Sequence, residues 1–106
     1  MPVVEVTAGT FDAEVLESSL PVLVDFWAAW SGTDRFTAPM LDVFSEKYGD
    51  KVKVVRINLD DNSQLAGQYS VTNATTLLVF IGGLLVRTIE GTRPLEVLES
   101  ELAEFL

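Results

Sequence analysis

The chain contains no cysteine and no histidine. Without them it offers no disulfide, no thiolate, no Ser–His pair and no ordinary zinc site. Basic residues are also scarce, with 7 Lys plus Arg against 16 Asp plus Glu and a formal net charge of −9. A nucleic-acid binder needs a basic face to follow phosphates, and an anionic membrane surface asks the same, so neither is expected as a partner. No apolar run reaches the roughly 18 residues that would cross a bilayer. Met1-Pro2-Val3-Val4-Glu5 lacks the basic and apolar regions of a signal peptide. What is present is 106 residues, 48% of them hydrophobic, with a mean hydropathy of +0.30. That composition opposes disorder and predicts one domain spanning 1–106 around a real core.

Val3 to Val6 reads as a short strand, and Thr10 as the N-cap of a helix with Phe11, Val15 and Leu16 on one face. Val22-Leu23-Val24-Asp25-Phe26-Trp27-Ala28 is a nearly continuous apolar run, the pattern of a strand buried on both faces. Ser31-Gly32-Thr33-Asp34 precedes a helix running to about Tyr48, with Phe36, Met40, Leu41, Phe44 and Tyr48 at helical spacing and Pro39 inside it. Residues 51–59 alternate as a strand, with Lys53 and Arg56 opposite Val52, Val54, Ile57 and Leu59. A short helix carrying Leu65, Ala66 and Tyr69 follows the turn at Asp60–Ser63. Thr76 to Ile81 is a buried strand, Gly82-Gly83 a two-residue hairpin turn, and Leu84 to Ile89 the return strand. Thr92 is expected to cap the last helix, with Pro94 in its first turn and Leu95, Leu98, Leu102 and Phe105 as its buried stripe. The order β-α-β-α-β-α-β-β-α predicts an α/β fold with a mixed, helix-covered sheet.

Ser31 and Asp34 have the spacing of a capping box, in which each side chain bonds the other's backbone N–H. Ser31 as a nucleophile has no base beside it. Trp27, inside the apolar run, is expected in the core, and Trp30, at its end, on the surface as an anchor. Glu96, Glu99, Glu101 and Glu104 read as the solvated face of the last helix, and Ile81 and Leu84 as an apolar hairpin tip at a sheet edge.

The segment from Val22 through Trp30-Ser31-Gly32-Thr33-Asp34-Arg35 closely resembles the active-site region of the thioredoxin family. Ala38-Pro39, Leu41-Asp42, Asn58-Leu59-Asp60, Thr76 to Phe80 and Gly91 extend the resemblance over essentially the whole chain. It implies a thioredoxin fold, an α/β domain with a five-stranded mixed sheet in the order 1-3-2-4-5 flanked by four helices. It also implies a cytoplasmic location. The departures are equally specific. The family's Trp-Cys-Gly-Pro-Cys becomes Trp30-Ser31-Gly32-Thr33-Asp34, and Thr75 stands where the family has a cis-proline facing its dithiol. Disulfide exchange needs one thiolate to attack and a second thiol to resolve. In the family the acid matching Asp25 is a proton acceptor beneath the second cysteine. Here that cysteine aligns with Asp34, so two carboxylates approach one another, with Arg56 in reach as a partner. An acid–base pair of the glycosidase kind lacks any legible sugar groove.

These departures support the expectation of a protein that is no enzyme: a stable, redox-inactive scaffold without catalytic function, engineered or computationally redesigned from a thioredoxin. No cofactor and no metal are expected, and Trp30, Ser31, Gly32, Thr33, Asp34, Asp25 and Thr75 are read as vestigial active-site positions. The alternative is a natural thioredoxin-like protein-binding module, using Trp30, Thr33, Ala74, Thr75 and Thr92 toward a partner. The chain is expected to be a monomer, with the Asp25 carboxyl a net cost to stability and the Ala74–Thr75 peptide bond trans.

Overall fold

A computed structural model of the protein describes residues 2–106, so Met1 of the N-terminal reading lies outside the described residues. The strands are β1 (Val4–Glu5), β2 (Val22–Trp27), β3 (Lys53–Asn58), β4 (Thr76–Ile81) and β5 (Leu84–Glu90). The helices are a π-helical turn at Asp12–Leu16, α1 (Asp34–Tyr48), α2 (Ser63–Gln68) and α3 (Leu95–Glu101), with short 3-10 turns at Ala29–Ser31 and Ala103–Phe105. The sheet order is β1-β3-β2-β4-β5, as expected. β1 and β2 run parallel to β3, and β4 runs antiparallel to both β2 and β5.

Alternation along the central strands divides the core between the two sheet faces. Val22, Val24 and Phe26 join Phe11, Val15 and Phe80 on one face. Leu23, Val54, Leu77 and Val79 meet Leu41 and Phe44 of α1, Leu98 of α3 and Leu102 just after it on the other. Asp25 and Arg56 continue the second alternation, and they are register neighbours between β2 and β3. Two charged residues are thereby delivered to the same face of the sheet, beneath the start of α1.

Gly82 and Gly83 adopt positive φ of 57° and 82°, which closes the β4–β5 hairpin as read from the sequence. Three local expectations fail. Thr10 does not cap a helix: its Oγ1 accepts from the Thr7 N–H at 3.1 Å, and the helix that follows is a single π-helical turn. Thr92 does not cap α3 either, because Pro94 occupies the cap position with no side-chain bond and the Thr92 hydroxyl is engaged elsewhere. The glutamates of α3 and its extension are not merely solvated, since Glu99, Glu101 and Glu104 pair with Lys47, Arg93 and Arg87.

Candidate functional site

The C-terminal end of β2 leads directly into the candidate site. After Trp27 and Ala28 the chain makes a 3-10 turn through Ser31, reverses at Gly32 with φ 75°, and enters α1 at Asp34. Only glycine takes that positive φ without steric cost, so Gly32 sets the angle at which α1 leaves the strand. The capping box does not form. The Ser31 hydroxyl donates to the Ala28 carbonyl at 3.1 Å and shares a hydrogen bond of 3.0 Å with Thr33. The Asp34 carboxylate turns to the Arg56 guanidinium instead. The Ser31 N–H that a capping Asp34 would reach is already donated to the Ala28 carbonyl at 3.3 Å, whereas Arg56 offers the carboxylate an ion pair with a partly buried cation.

Arg56 bridges two acids. Its Nε donates to Asp25 Oδ2 at 2.9 Å while a terminal nitrogen meets Asp34, and its guanidinium carbon lies 4.9 Å from the Trp27 ring centroid. The approach of Asp25 and Asp34 with Arg56 between them is therefore as the sequence suggested. Asp25 is wholly buried, and its Oδ1 has no hydrogen-bond partner. Burial pushes its carboxyl up from 3.8 to about 6; the Arg56 charge and hydrogen bond act against that rise, and the charges of Asp34 and Glu5 add to it. Trp27 is only half-buried, contrary to its expected place in the core, because its indole Nε1 reaches Glu5 Oε1 at 2.9 Å.

Thr75 faces the α1 start from the loop before β4. Its peptide bond with Ala74 is cis, against the expectation of trans. The loop is fixed from several sides, which accounts for one defined geometry. The Thr75 hydroxyl bonds Thr33 Oγ1 at 2.9 Å, its carbonyl accepts from the Gly91 N–H at 2.8 Å, and Thr76 Oγ1 donates to the Asn73 carbonyl at 2.6 Å. Thr37, fully buried, lies with its Oγ1 2.8 Å from Thr92 Oγ1, 3.1 Å from the Thr33 carbonyl and 3.3 Å from Thr75 Oγ1. With one hydrogen to donate, it serves one acceptor at a time and accepts from a neighbour. Sequence reasoning missed Thr37; its place one turn after Thr33, on the inner face of α1, was the available signal.

The five positions read as partner contacts are not equivalent. Trp30 is 61% exposed, and its indole N–H is anchored by both oxygens of Asp60 at 3.1 and 2.9 Å. Thr92 is exposed, Thr33 and Ala74 are half-buried, and Thr75 is buried. Thr75 thus supports the surface rather than forming it. Among the described residues no group of acids could hold a metal ion, and no helix is long and apolar enough to cross a membrane.

Comparison with known proteins matches the thioredoxin family model over residues 2–104. "Thioredoxin 1" of Synechococcus elongatus is 46% identical over 101 residues, covering 95% of this chain and 94% of that protein. "Thioredoxin" of Porphyra purpurea is 42% identical over 106 residues, covering 100% of this chain and 99% of that protein. "Thioredoxin 1" of Nostoc is 44% identical over 102 residues, covering 96% and 95%. These matches overturn the reading of the chain as an engineered or redesigned scaffold without catalytic function. Its likeness to natural thioredoxins runs from end to end, and a lack of cysteine is not evidence of design. They equally overturn the expectations of no enzyme and of a redox-inactive protein: the family is one of disulfide oxidoreductases, and the serine and aspartate at the dithiol positions do not establish that the site is inactive.

Proposed function

The chain belongs to the thioredoxin family, and on that premise we propose that it is a natural protein-binding member, a single domain that receives an extended segment of a client protein across the end of the sheet. In the family this docking uses the loop at Thr75 as an extended edge beside the Trp30–Asp34 turn. The observation that carries the reading is the hydroxyl cluster. Thr33, Thr37, Thr75 and Thr92 tie the turn, α1, the β4 loop and the β5–α3 connection into one surface with Trp30 at its rim. Rigid elements that present a half-buried backbone edge beside an exposed aromatic suit binding, because little conformational freedom is lost when the client arrives.

The test is capture of client proteins from a cell extract by the immobilised chain, with Trp30→Ala and Ala74→Arg as the control. Trp30 is exposed, whereas Ala74 is half-buried and packs against the core, so a thermal melt of the double variant accompanies the capture. The captured set should disappear with the double variant. An identical set from both proteins would refute docking at this surface.

A further inference from the structure

α1 carries two stripes. Thr37, Leu41, Phe44 and Ser45 are buried, with Leu41 and Phe44 packed among residues of the sheet and Leu98 of α3. Phe36, Met40 and Val43, about 100° around the helix, form a second apolar stripe, and Phe36 and Val43 remain 60% and 45% exposed. Facing them, Thr92, Pro94 and Leu95 complete a groove of about 450 Å³, a volume within the range of small binding pockets.

Charge singles out what this groove accepts. Lys47, Lys53, Arg56, Arg87 and Arg93 are all paired with carboxylates, and Lys51 donates to the Leu106 carbonyl at 2.8 Å. Arg35 is the exception among the described basic residues. It is exposed, and its guanidinium lies 4.9 Å from the centroid of the Phe36 ring, at the lip of the groove. A protein of net charge −9 generally repels acidic ligands, so a lone unmatched cation beside an apolar slot gives local selectivity for one. Glu96 on the facing wall fixes the direction, because a client carboxylate must lie toward Arg35 and away from it.

We infer that this groove docks a bulky apolar side chain of a client protein segment that carries Asp or Glu beside it, the carboxylate pairing with Arg35. The inference rests on the protein-binding reading and deepens it, for Thr92 belongs both to this groove and to the hydroxyl cluster. The groove lies beyond the turn and loop, so the client would continue from one onto the other.

The probe is an end-capped hexapeptide, Gly-Ser-Glu-Phe-Ser-Gly, titrated into the labelled protein by NMR beside its Gln and Lys counterparts. The Glu peptide should shift the Met40 and Val43 methyl signals. The Gln peptide should bind about threefold more weakly, in keeping with an exposed ion pair. Arg35→Glu should reverse the order so that the Lys peptide binds best, and Val43→Asp should remove the groove shifts for every peptide. Shifts confined to Trp30 and Ala74 would overturn the groove and leave the protein-binding reading standing. An absence of shifts at both places would overturn both, and equal binding of Glu and Gln peptides would overturn the acidic preference.

Discussion

Replacement of Asp25 by leucine isolates the cost of the buried carboxyl. The side chain is fully buried with Oδ1 unpartnered, and burial holds its carboxyl at about 6 instead of 3.8 despite Arg56. That gap corresponds to about 3 kcal/mol at 1.36 kcal/mol per tenfold change in proton affinity. The folded state therefore binds this proton more tightly than the unfolded chain does. The contribution of Asp25 to stability is fully present below 3.8 and is lost as pH rises through about 6. The assay is chemical denaturation of the wild type and Asp25→Leu across this range. Every other group titrates in both proteins, so the difference between them reports Asp25 together with its coupling to Arg56, Asp34 and Glu5. It should move in favour of the variant by about 3 kcal/mol from the acid to the neutral end. Near neutral pH the variant should be the more stable by about 1–3 kcal/mol. Arg56 keeps Asp34 and the Trp27 face after the change, which limits the loss on its side. A difference that stays flat with pH, or that moves in favour of the wild type as pH rises, would refute the reasoning.

Arg56→Ala should be the damaging converse: two carboxylates lose their shared cation, at a cost of about 3 kcal/mol near neutral pH in chemical denaturation, and the Asp25 carboxyl, followed by NMR, should titrate higher still. Thr37→Val removes the buried hydroxyl that faces Thr33, Thr75 and Thr92, and should cost about 1–2 kcal/mol in a denaturant titration. Gly83→Ala places a Cβ 3.2 Å from the Leu16 carbonyl oxygen at a φ of +82°; it should lower the thermal midpoint through a loss of about 1–2 kcal/mol. Glu99 holds the Tyr48 phenol above its ordinary value by accepting its hydrogen bond, so Glu99→Gln should bring that phenol down in an ultraviolet titration.

The fold was legible in the sequence because its signals are local and redundant. The nearly continuous apolar run at Val22–Ala28, the Gly82-Gly83 turn and the Leu98 and Leu102 stripe each fix an element, and together they admit few topologies. The candidate site was less legible because its decisive contacts join distant positions. Ser31 and Asp34 satisfy a capping pattern three residues apart, yet Asp34 is claimed by Arg56, 22 residues away. Thr92 looks like a cap until Thr37, 55 residues earlier in the chain, engages its hydroxyl. The Ala74–Thr75 geometry likewise depends on bonds to Thr33 and Gly91, which lie in other elements.

The placement of Phe36 follows from the same difficulty at one residue. Phe36, Met40, Phe44 and Tyr48 recur every four positions, and an apolar repeat of that spacing reads as the buried face. The helix turns by about 100° per residue, however, so a strict repeat of four drifts around it. Burial chooses Thr37, Leu41 and Phe44, and Phe36 is left outside. Thr37 is polar, yet its hydroxyl is satisfied by the Thr33 carbonyl and Thr92, which removes the usual penalty for burying it. Exchanging a phenylalanine for a threonine on the inner face has two consequences together. It brings hydroxyls from α1, the β4 loop and the β5–α3 connection to one point, and it frees an aromatic ring to line the groove beside Arg35.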